Sequence, residues 1–385
     1  MGLSGELARL IIGQVFLHAC MAGMRMASPL LALREGYSAA AVGVLLSLFA
    51  LATVFLALPA GRYTDRHGVR RPMALGIGVA VGAAALAALW PVFPVLCLAA
   101  VLTGASTGAV VIALQRHVGR IVEGPTQLRQ AFSWLAIGPA ISNFIGPLLA
   151  GVLIDHGGFR LAFLALAMLP LVTWFWVRTA RDLPPVQAPE TAQRATAWSL
   201  MREPGFRRLI IVNWVVASCW DVHTFLVPVL GHEHGLAASV IGSILGAFAL
   251  AATVVRMALP LLASSVREWQ VIVTAMAAAA LVFAVYPLMH AALAMGVCSV
   301  LLGIALGSVQ PMVMSTLHQI TPAHRHGEAL GLRLMSINVS SVLMPLLFGA
   351  AGAAIGVAGV FWIVGALVGA STPIAARLRG PAGGE

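Results

Sequence analysis

The chain has 385 residues, of which 60% are hydrophobic and 9% are charged, and its mean hydropathy is +0.95. A soluble domain carries about 25% charged residues, so this composition excludes a soluble globular protein and indicates an integral membrane protein. The net charge of +10 comes from arginine, since the sequence contains no lysine. Most of the arginines fall in the connections between apolar runs, which is the pattern of membrane topology and not of a nucleic-acid-binding surface.

Apolar runs long enough to cross a bilayer follow one another along the chain. The first run is long enough to span and lacks a small-residue cleavage site, so we expect a retained helix and not a signal peptide. The sequence therefore predicts an all-α membrane protein with 12 transmembrane helices. The predicted spans are residues 7–31, 39–59, 72–90, 94–117, 129–154, 159–178, 206–230, 237–262, 269–289, 291–318, 328–350 and 354–376.

Arginine is unequally divided between the two sets of connections. One set contains almost all of the loop arginines, whereas the opposite set contains Arg34 and Arg160. The positive-inside rule then places both termini in the cytoplasm, together with the polar segment 179–205. We expect a multi-pass protein of a bacterial cytoplasmic (inner) membrane, in contact with membrane lipids.

The two halves of the chain resemble each other at a shift of 198 or 199 positions. A parallel duplication of this kind is typical of transporters. We predict two pseudo-symmetric six-helix bundles, residues 1–178 and 206–385, joined by a cytoplasmic linker, residues 179–205. Matched residues include Gly43 and Gly242, Phe49 and Phe248, Gly104 and Gly303, Pro147 and Pro345, and Gly151 and Gly349.

Two motifs resemble a known family. The cationic turn Gly61-x-x-x-Asp65-Arg66-x-Gly68-x-Arg70-Arg71, between the second and third predicted helices, resembles the signature loop of the major facilitator superfamily. Gly146-Pro147-Leu-Leu-Ala150-Gly151, in the fifth helix, is similar to the Gly-Pro motif of the drug/proton antiporter branch. The 12 predicted helices in two repeats match the same family over essentially the whole chain.

The resemblance implies a conformational latch on the cytoplasmic side. Gly61 would let the second helix pack closely on the eleventh, and Asp65 would face the positive end of that helix. Arg66, Arg70 and Arg71 would tie the turn to neighbouring helix ends while the protein faces outward, with Gly68 closing the motif. The alternative is that these arginines only set the topology.

Ionisable residues inside the predicted spans are rare. A charge at the bilayer centre costs about 3 kcal/mol, so such residues are usually paired and functional. Arg25 lies in helix 1 and Asp221 in helix 7, and the repeat places Asp221 less than one helical turn from the depth of Arg25. In the resembled fold these helices face each other across a cavity. We hypothesise that the two residues meet there and that Asp221 carries the proton, with a purely structural salt bridge as the alternative.

Polar residues recur on one face of each of these two helices. Spacing near 3.6 residues places Gln14, His18, Arg25 and Ser28 on one face of helix 1, and Trp214, Asp221 and Thr224 on one face of helix 7. His18 is a second candidate proton carrier, or a hydrogen-bonding residue. Asn143, Gln310 and Asn338 are interpreted as cavity-lining residues or as interhelical hydrogen-bonding residues.

Two further arginines, Arg256 and Arg333, lie near the cytoplasmic ends of helices 8 and 11. They could bind an anionic group of a substrate, or extend to the membrane interface. His232-Glu233-His234 lacks further ligands, so no metal site is predicted. No phosphate-binding loop is present, so direct use of ATP is not indicated.

These patterns predict a secondary transporter that works by rocking alternating access and uses no cofactor besides a proton gradient. We expect proton-coupled efflux of a small organic compound, drug-like, siderophore-like or a metabolite, by a monomer. One alternative is proton-coupled uptake of a nutrient or an organic anion, with Arg25 as the anion contact. A second is a membrane receptor or lipid scramblase without coupled transport. No nucleophile–base set is found, so an enzyme is not predicted.

Overall fold

The computed structural model describes residues 3–121, 125–178, 197–262, 267–321 and 326–378. Within these residues the secondary structure is helical and contains no strand. In this described part of the chain, ten helices are long and apolar enough to cross a membrane. They are α1 Leu3–Arg34, α2 Ala39–His67, α3 Arg70–Leu89, α4 Phe93–Ile121, α5 Pro125–Val177, α6 Pro204–Glu233, α7 Ala238–Leu262, α8 Glu268–Val285, α9 Ala292–Ile320 and α10 His326–Ala376.

Two of the helices are interrupted by a glycine. In α5, which has 53 residues, Gly158 has φ 77° and ψ 177°. In α10, which has 51 residues, Gly356 has φ 76° and ψ 165°. A positive φ of this kind is accessible to glycine at little cost, so each glycine separates two helical segments. A shift of 198 positions carries Gly158 onto Gly356, the shift already found in the sequence.

Helix contacts occur in matched sets in the two halves of the chain. α1 packs on α5 as α6 packs on α10, and α2 packs on α4 as α7 packs on α9. Between the halves, α5 packs on α7 and α10 packs on α2. α6, which contains Asp221, is buried along most of its length.

Glycines allow several of these helices to approach closely. A Cβ atom added to Gly349 in α10 would lie 2.7 Å from the backbone oxygen of Ala39 in α2. The matched Gly151 in α5 lies equally tightly against Ala238 at the start of α7. Side chains at these positions would force the helices apart, because even one extra methyl group is felt in a close-packed interior.

The predicted cationic turn is mostly helical, which corrects the expectation of a surface loop over residues 61–71. α2 passes through Pro59 and Gly61 and continues to His67. Gly68, with φ 73°, ends α2, and α3 begins at Arg70. The change of direction is therefore confined to two residues.

The linker predicted over residues 179–205 lies mainly outside the described residues. Its described part contains a short 3₁₀ helix, Ala197–Arg202, and α6 begins at Pro204. Proline is tolerated in the first turn of a helix, where its missing N–H would have no intrahelical partner. The end of the predicted linker is thus ordered helix.

The first turns of α2 and α7 are capped in different ways. In α2, the side chain of Ser38 accepts a hydrogen bond from the backbone N–H of Ala41 at 3.3 Å. In α7, the carboxylate of Asp155, from the end of the first segment of α5, accepts hydrogen bonds from the N–H groups of Ala238 (3.0 Å) and Ser239 (2.9 Å). The cap of α7 is therefore supplied by the other half of the chain.

Candidate functional site

A cavity of about 180 Å³ lies between the two halves of the chain. We call it the central cavity. Residues of α1, α2 and α5 line one side and residues of α6 and α7 line the other. Its polar lining comprises His18, Arg25, Asn143, Trp220 and Thr224, beside Pro147 of the Gly-Pro motif.

The predicted polar face of α1 is divided between this cavity and the protein interior. His18 and Arg25 line the central cavity. Gln14 and Ser28 are buried, and the Gln14 Oε1 and Ser28 Oγ atoms have no hydrogen-bond partner among the described residues. The period of the helix therefore identified a polar face, but only its middle section reaches the cavity.

A second cavity, of about 200 Å³, lies beside the first within the second half of the chain. Asp221, Arg256, Gln310 and Ser341 contribute its polar lining. Val216, Leu306 and Ile337 contribute apolar lining. Trp220 lines both cavities and therefore separates them.

Asp221 is buried, with 5% of its surface exposed, and it is held by α10. Its carboxylate accepts a hydrogen bond from Ser340 Oγ at 2.9 Å and a weaker one from Ser341 Oγ at 3.3 Å. Among the described residues, Arg25 donates no hydrogen bond to this carboxylate. Arg25 and Asp221 interact electrostatically, but they line different cavities on either side of Trp220. The structure thus brings the pair near each other without the direct contact that the sequence predicted.

Arg256 lines the second cavity, and Arg333 lies near enough to it for the two positive charges to repel. The guanidinium of Arg256 lies 5.4 Å from the ring centre of Trp220. Arg333 donates a hydrogen bond to the side-chain oxygen of Gln310. Both Nε atoms are buried without a hydrogen-bond partner in the part of the chain that the structure describes.

The remaining predicted cavity residues lie elsewhere. Trp214 is half-buried against the hydrophobic core, and Asn338 is half-buried on α10. Neither lines the two cavities described above. Thr224, in contrast, lines the central cavity, and its hydroxyl donates to the backbone oxygen of Trp220 at 3.0 Å.

The Gly-Pro motif packs α5 directly on α1 and lines the central cavity. A Cβ atom on Gly146 would lie 2.5 Å from the backbone oxygen of Ala19 and 2.8 Å from the nitrogen of Gly23. Pro147 lines the cavity, and Gly151 packs on the start of α7. The motif therefore fixes the position of α5 against both halves of the chain.

The predicted latch is described only in part. Gly68 is buried, and Arg70 and Arg71 are exposed at the start of α3. The backbone of Gly61, Asp65 and Arg66 belongs to α2, but the surroundings of these three residues are outside what the structure describes. The latch role of this set therefore stays a prediction.

A buried polar chain that starts on the same helix as Asp221 was not predicted from the sequence. His223 Nε2 lies 2.9 Å from Ser299 Oγ, which lies 2.8 Å from the hydroxyl of Tyr286. The His223 ring stacks on Phe248, with 4.0 Å between ring centres. A histidine two residues from a buried aspartate was the available signal, but its partners come from α9 and from the short 3₁₀ helix after α8.

The fold and the cavities define a multi-pass helical membrane protein of the transporter type. A sequence model of the Major Facilitator Superfamily matches residues 10–318 and, in a second match, residues 209–383. The chain belongs to the major facilitator superfamily, and it is a transporter rather than an enzyme. The resemblance found in the sequence is confirmed.

One curated relative is the Multidrug resistance protein D of Escherichia coli (strain K12). It is 28% identical to this chain over 180 residues, which are 46% of this chain and 44% of that protein. The chain therefore matches less than half of the length of this relative. At that extent the similarity does not fix the substrate or the direction of transport.

Solved structures share the fold over nearly the whole chain. A crystal structure of the nucleoside transporter NupG gives a TM-score of 0.79 at 14% identity, covering 97% of this chain and 100% of that one. A bacterial homologue of the human lysosomal transporter Spinster, inward-facing and occupied, gives 0.74 at 13% identity, covering 97% and 94%. Identities this low show a common fold alone.

Proposed function

We propose that the protein is a proton-coupled secondary transporter that exports a small organic compound by alternating access. The observation that carries the proposal is the central cavity, which both halves line and which lies beside the buried carboxylate of Asp221. Ligand sites of helical bundles lie between helices, and a carboxylate inside a membrane protein marks an ion pathway. The partial similarity to Multidrug resistance protein D supports export over uptake.

The same proposal includes twelve membrane crossings arranged as two six-helix bundles. An uninterrupted helix of 53 residues would be about 80 Å long, more than twice the roughly 30 Å thickness of the hydrocarbon layer. The turns at Gly158 and Gly356 let α5 and α10 each cross the membrane twice. Both termini then lie on the arginine-rich, cytoplasmic side of a bacterial inner membrane.

Asp221 is the proposed proton carrier. Its carboxylate joins α6 to α10 through Ser340 and Ser341. A proton on Asp221 removes a charge that these hydroxyl groups stabilise, so it changes the contact between two helices that border the cavities. Protons and the exported compound are the only partners required, and the monomer contains both halves of the cavity.

The test is transport in inside-out membrane vesicles with an acidic lumen. Accumulation of ethidium, an organic cation, and of fluorescein, an organic anion, is followed with and without the pH gradient. We expect gradient-dependent accumulation of at least one of them, lost in Asp221→Asn. Glu203→Gln is the matched control, because Glu203 is an exposed acid just before α6. Accumulation that persists in Asp221→Asn contradicts the proton role, and lipid movement without solute flux would instead indicate a scramblase.

A second candidate function is proton-coupled uptake of an organic anion. It is favoured by the excess of arginine around the cavities, where Arg25, Arg256 and Arg333 accompany one carboxylate among the described residues, that of Asp221. A proton on Asp221 and an anion near the arginines favour each other electrostatically, which suits movement in the same direction. Fluorescein uptake by right-side-out vesicles in acidic medium, exceeding that by inside-out vesicles, would select this candidate.

A further inference from the structure

Arg256, in the wall of the second cavity, and Arg333, near it, carry more positive charge than the described protein neutralises. The two charges are close enough to repel each other, and each arginine has a buried Nε without a hydrogen-bond partner among the described residues. Gln310, which accepts a hydrogen bond from Arg333, is uncharged. Burying a cation without a partner costs free energy, and burying two adjacent cations costs more.

The alternative explanation, in which these arginines extend to the membrane interface, does not fit their surroundings. An extended arginine keeps its guanidinium in water and buries only its methylene groups. Here the buried Nε belongs to the guanidinium itself in both residues, and the Arg256 guanidinium lies over the Trp220 ring. The guanidinium groups are therefore directed into the protein, that of Arg256 in the wall of the second cavity and that of Arg333 against Gln310, which also lines it.

The rest of the cavity is suited to the apolar part of a ligand. Val216, Leu306 and Ile337 line it, and the face of Trp220 closes one side. Guanidinium groups bind carboxylate and phosphate through charge-assisted, often bidentate, hydrogen bonds. A ligand that carries an anionic group on a compact apolar or aromatic body could contact both the arginines and the apolar residues of this cavity.

We propose that Arg256 and Arg333 form a subsite that binds the anionic group of an amphipathic organic anion, with Trp220 against its apolar body. This inference rests on the proposed transport function and names the class of substrate, for either direction of transport. Asp221 lies at the same cavity. Its negative charge opposes the bound anion and limits the affinity.

Equilibrium binding to the purified full-length protein in detergent tests the subsite without any gradient. Isothermal titration calorimetry is used with benzoate, with benzamide as its neutral isostere and with benzylammonium as its cationic counterpart. We expect benzoate to bind at least about tenfold more tightly than the other two, because benzamide cannot form charge-assisted hydrogen bonds to guanidinium and benzylammonium is repelled by it.

Substitutions then show which residues cause the preference for benzoate. Arg256→Gln and Arg333→Gln should each weaken benzoate binding by about tenfold or more, whereas Arg256→Lys and Arg333→Lys, which keep the charge, should retain part of the affinity. Arg207→Gln is the control, because Arg207 is an exposed arginine at the start of α6. Asp221→Asn should bind benzoate more tightly than the unmodified protein.

Two results would overturn the proposal. One is a benzoate affinity no greater than that for benzamide, and the other is a benzoate affinity unchanged in both Gln variants. If one Gln variant does not fold, as judged by size-exclusion chromatography, the other Gln variant and the Lys pair decide. Binding without gradient-driven flux would contradict the proposed function and leave the subsite intact, so the two failures are distinguishable.

Discussion

Asp221 shows how a single buried acid acquires its surroundings from several parts of the chain. The sequence placed it inside a helix and at the depth of Arg25, and both inferences needed only the repeat and the rise of a helix. Its hydrogen-bond donors, Ser340 and Ser341, lie more than a hundred positions away. The residue pattern does not predict that α6 and α10 pack with these side chains in contact, so the partners of Asp221 could be identified only from the structure.

A residue-scale prediction concerns Ser340. Ser340→Ala removes the 2.9 Å hydrogen bond to Asp221 and should lower the free energy of unfolding by about 1.5–3 kcal/mol, the contribution of a hydrogen bond to a charged group. Thermal unfolding in detergent measures it. Ser336→Ala is the control on the same helix, since Ser336 Oγ has no partner among the described residues. If Ser340→Ala and Ser336→Ala lowered the free energy of unfolding equally, a stabilising hydrogen bond between Ser340 and Asp221 would be contradicted. The same holds if Ser340→Ala had its full effect in a protein that already contains Asp221→Asn.

Helices in this protein pack where glycine permits it, and that property is largely readable from the sequence. The Gly-Pro motif was recognised in the sequence, and the structure shows that Gly146 lets α5 approach the backbone of Ala19 and Gly23. The helical course of α2 through residues 61–67 was not predicted. Charge density suggested a loop there, but helix formation depends on the backbone, and arginine is a good helix former.

The corresponding prediction compares two helical glycines. Gly146→Ala should lower stability by about 1–3 kcal/mol, because the new methyl group meets backbone atoms of α1 that cannot move away. Gly78→Ala should be neutral or stabilising by up to about 1 kcal/mol, since Gly78 is helical with nothing within 4 Å of an added Cβ. Melting temperatures in detergent compare them. If Gly78→Ala lowered the melting temperature as much as Gly146→Ala does, the packing argument would be refuted.

At the scale of the whole molecule, the repeat found in the sequence recurs in the backbone. Gly36 and Gly235, like Gly158 and Gly356, have positive φ at positions separated by the repeat. The contact between Asp155 and the start of α7 breaks that symmetry. Its counterpart at the start of α2 is the local cap by Ser38, so only one of the two equivalent ends is joined to the other half by a carboxylate. An isolated aspartate near a turn gave no signal of this role.

We therefore predict that Asp155 helps to hold the two halves together at the end opposite the cationic turn. In a protein whose four cysteines are replaced and Thr224→Cys is introduced, Asp155→Ala should speed labelling by an impermeant maleimide added outside the cell. Loss of an N-cap costs about 0.5–2 kcal/mol, which corresponds to roughly 2- to 30-fold in the open population.

Ser38→Ala is the control for this experiment, because it removes a cap that lies within one half. Its labelling rate should match that of the parent protein, although some stability is lost. Similar acceleration by both substitutions would mean that Asp155 stabilises α7 locally and does not govern access to the cavity.

The position of Trp220 has one more consequence. Neither of the two spaces beside it reaches the range of about 300–1,000 Å³ that drug-sized ligands occupy, at about 180 and 200 Å³. The indole borders both spaces, and we expect that a rotamer change of Trp220 would join them into a single chamber near the lower limit of that range. The conformation of this one side chain would then determine the size of the compound that the protein can bind.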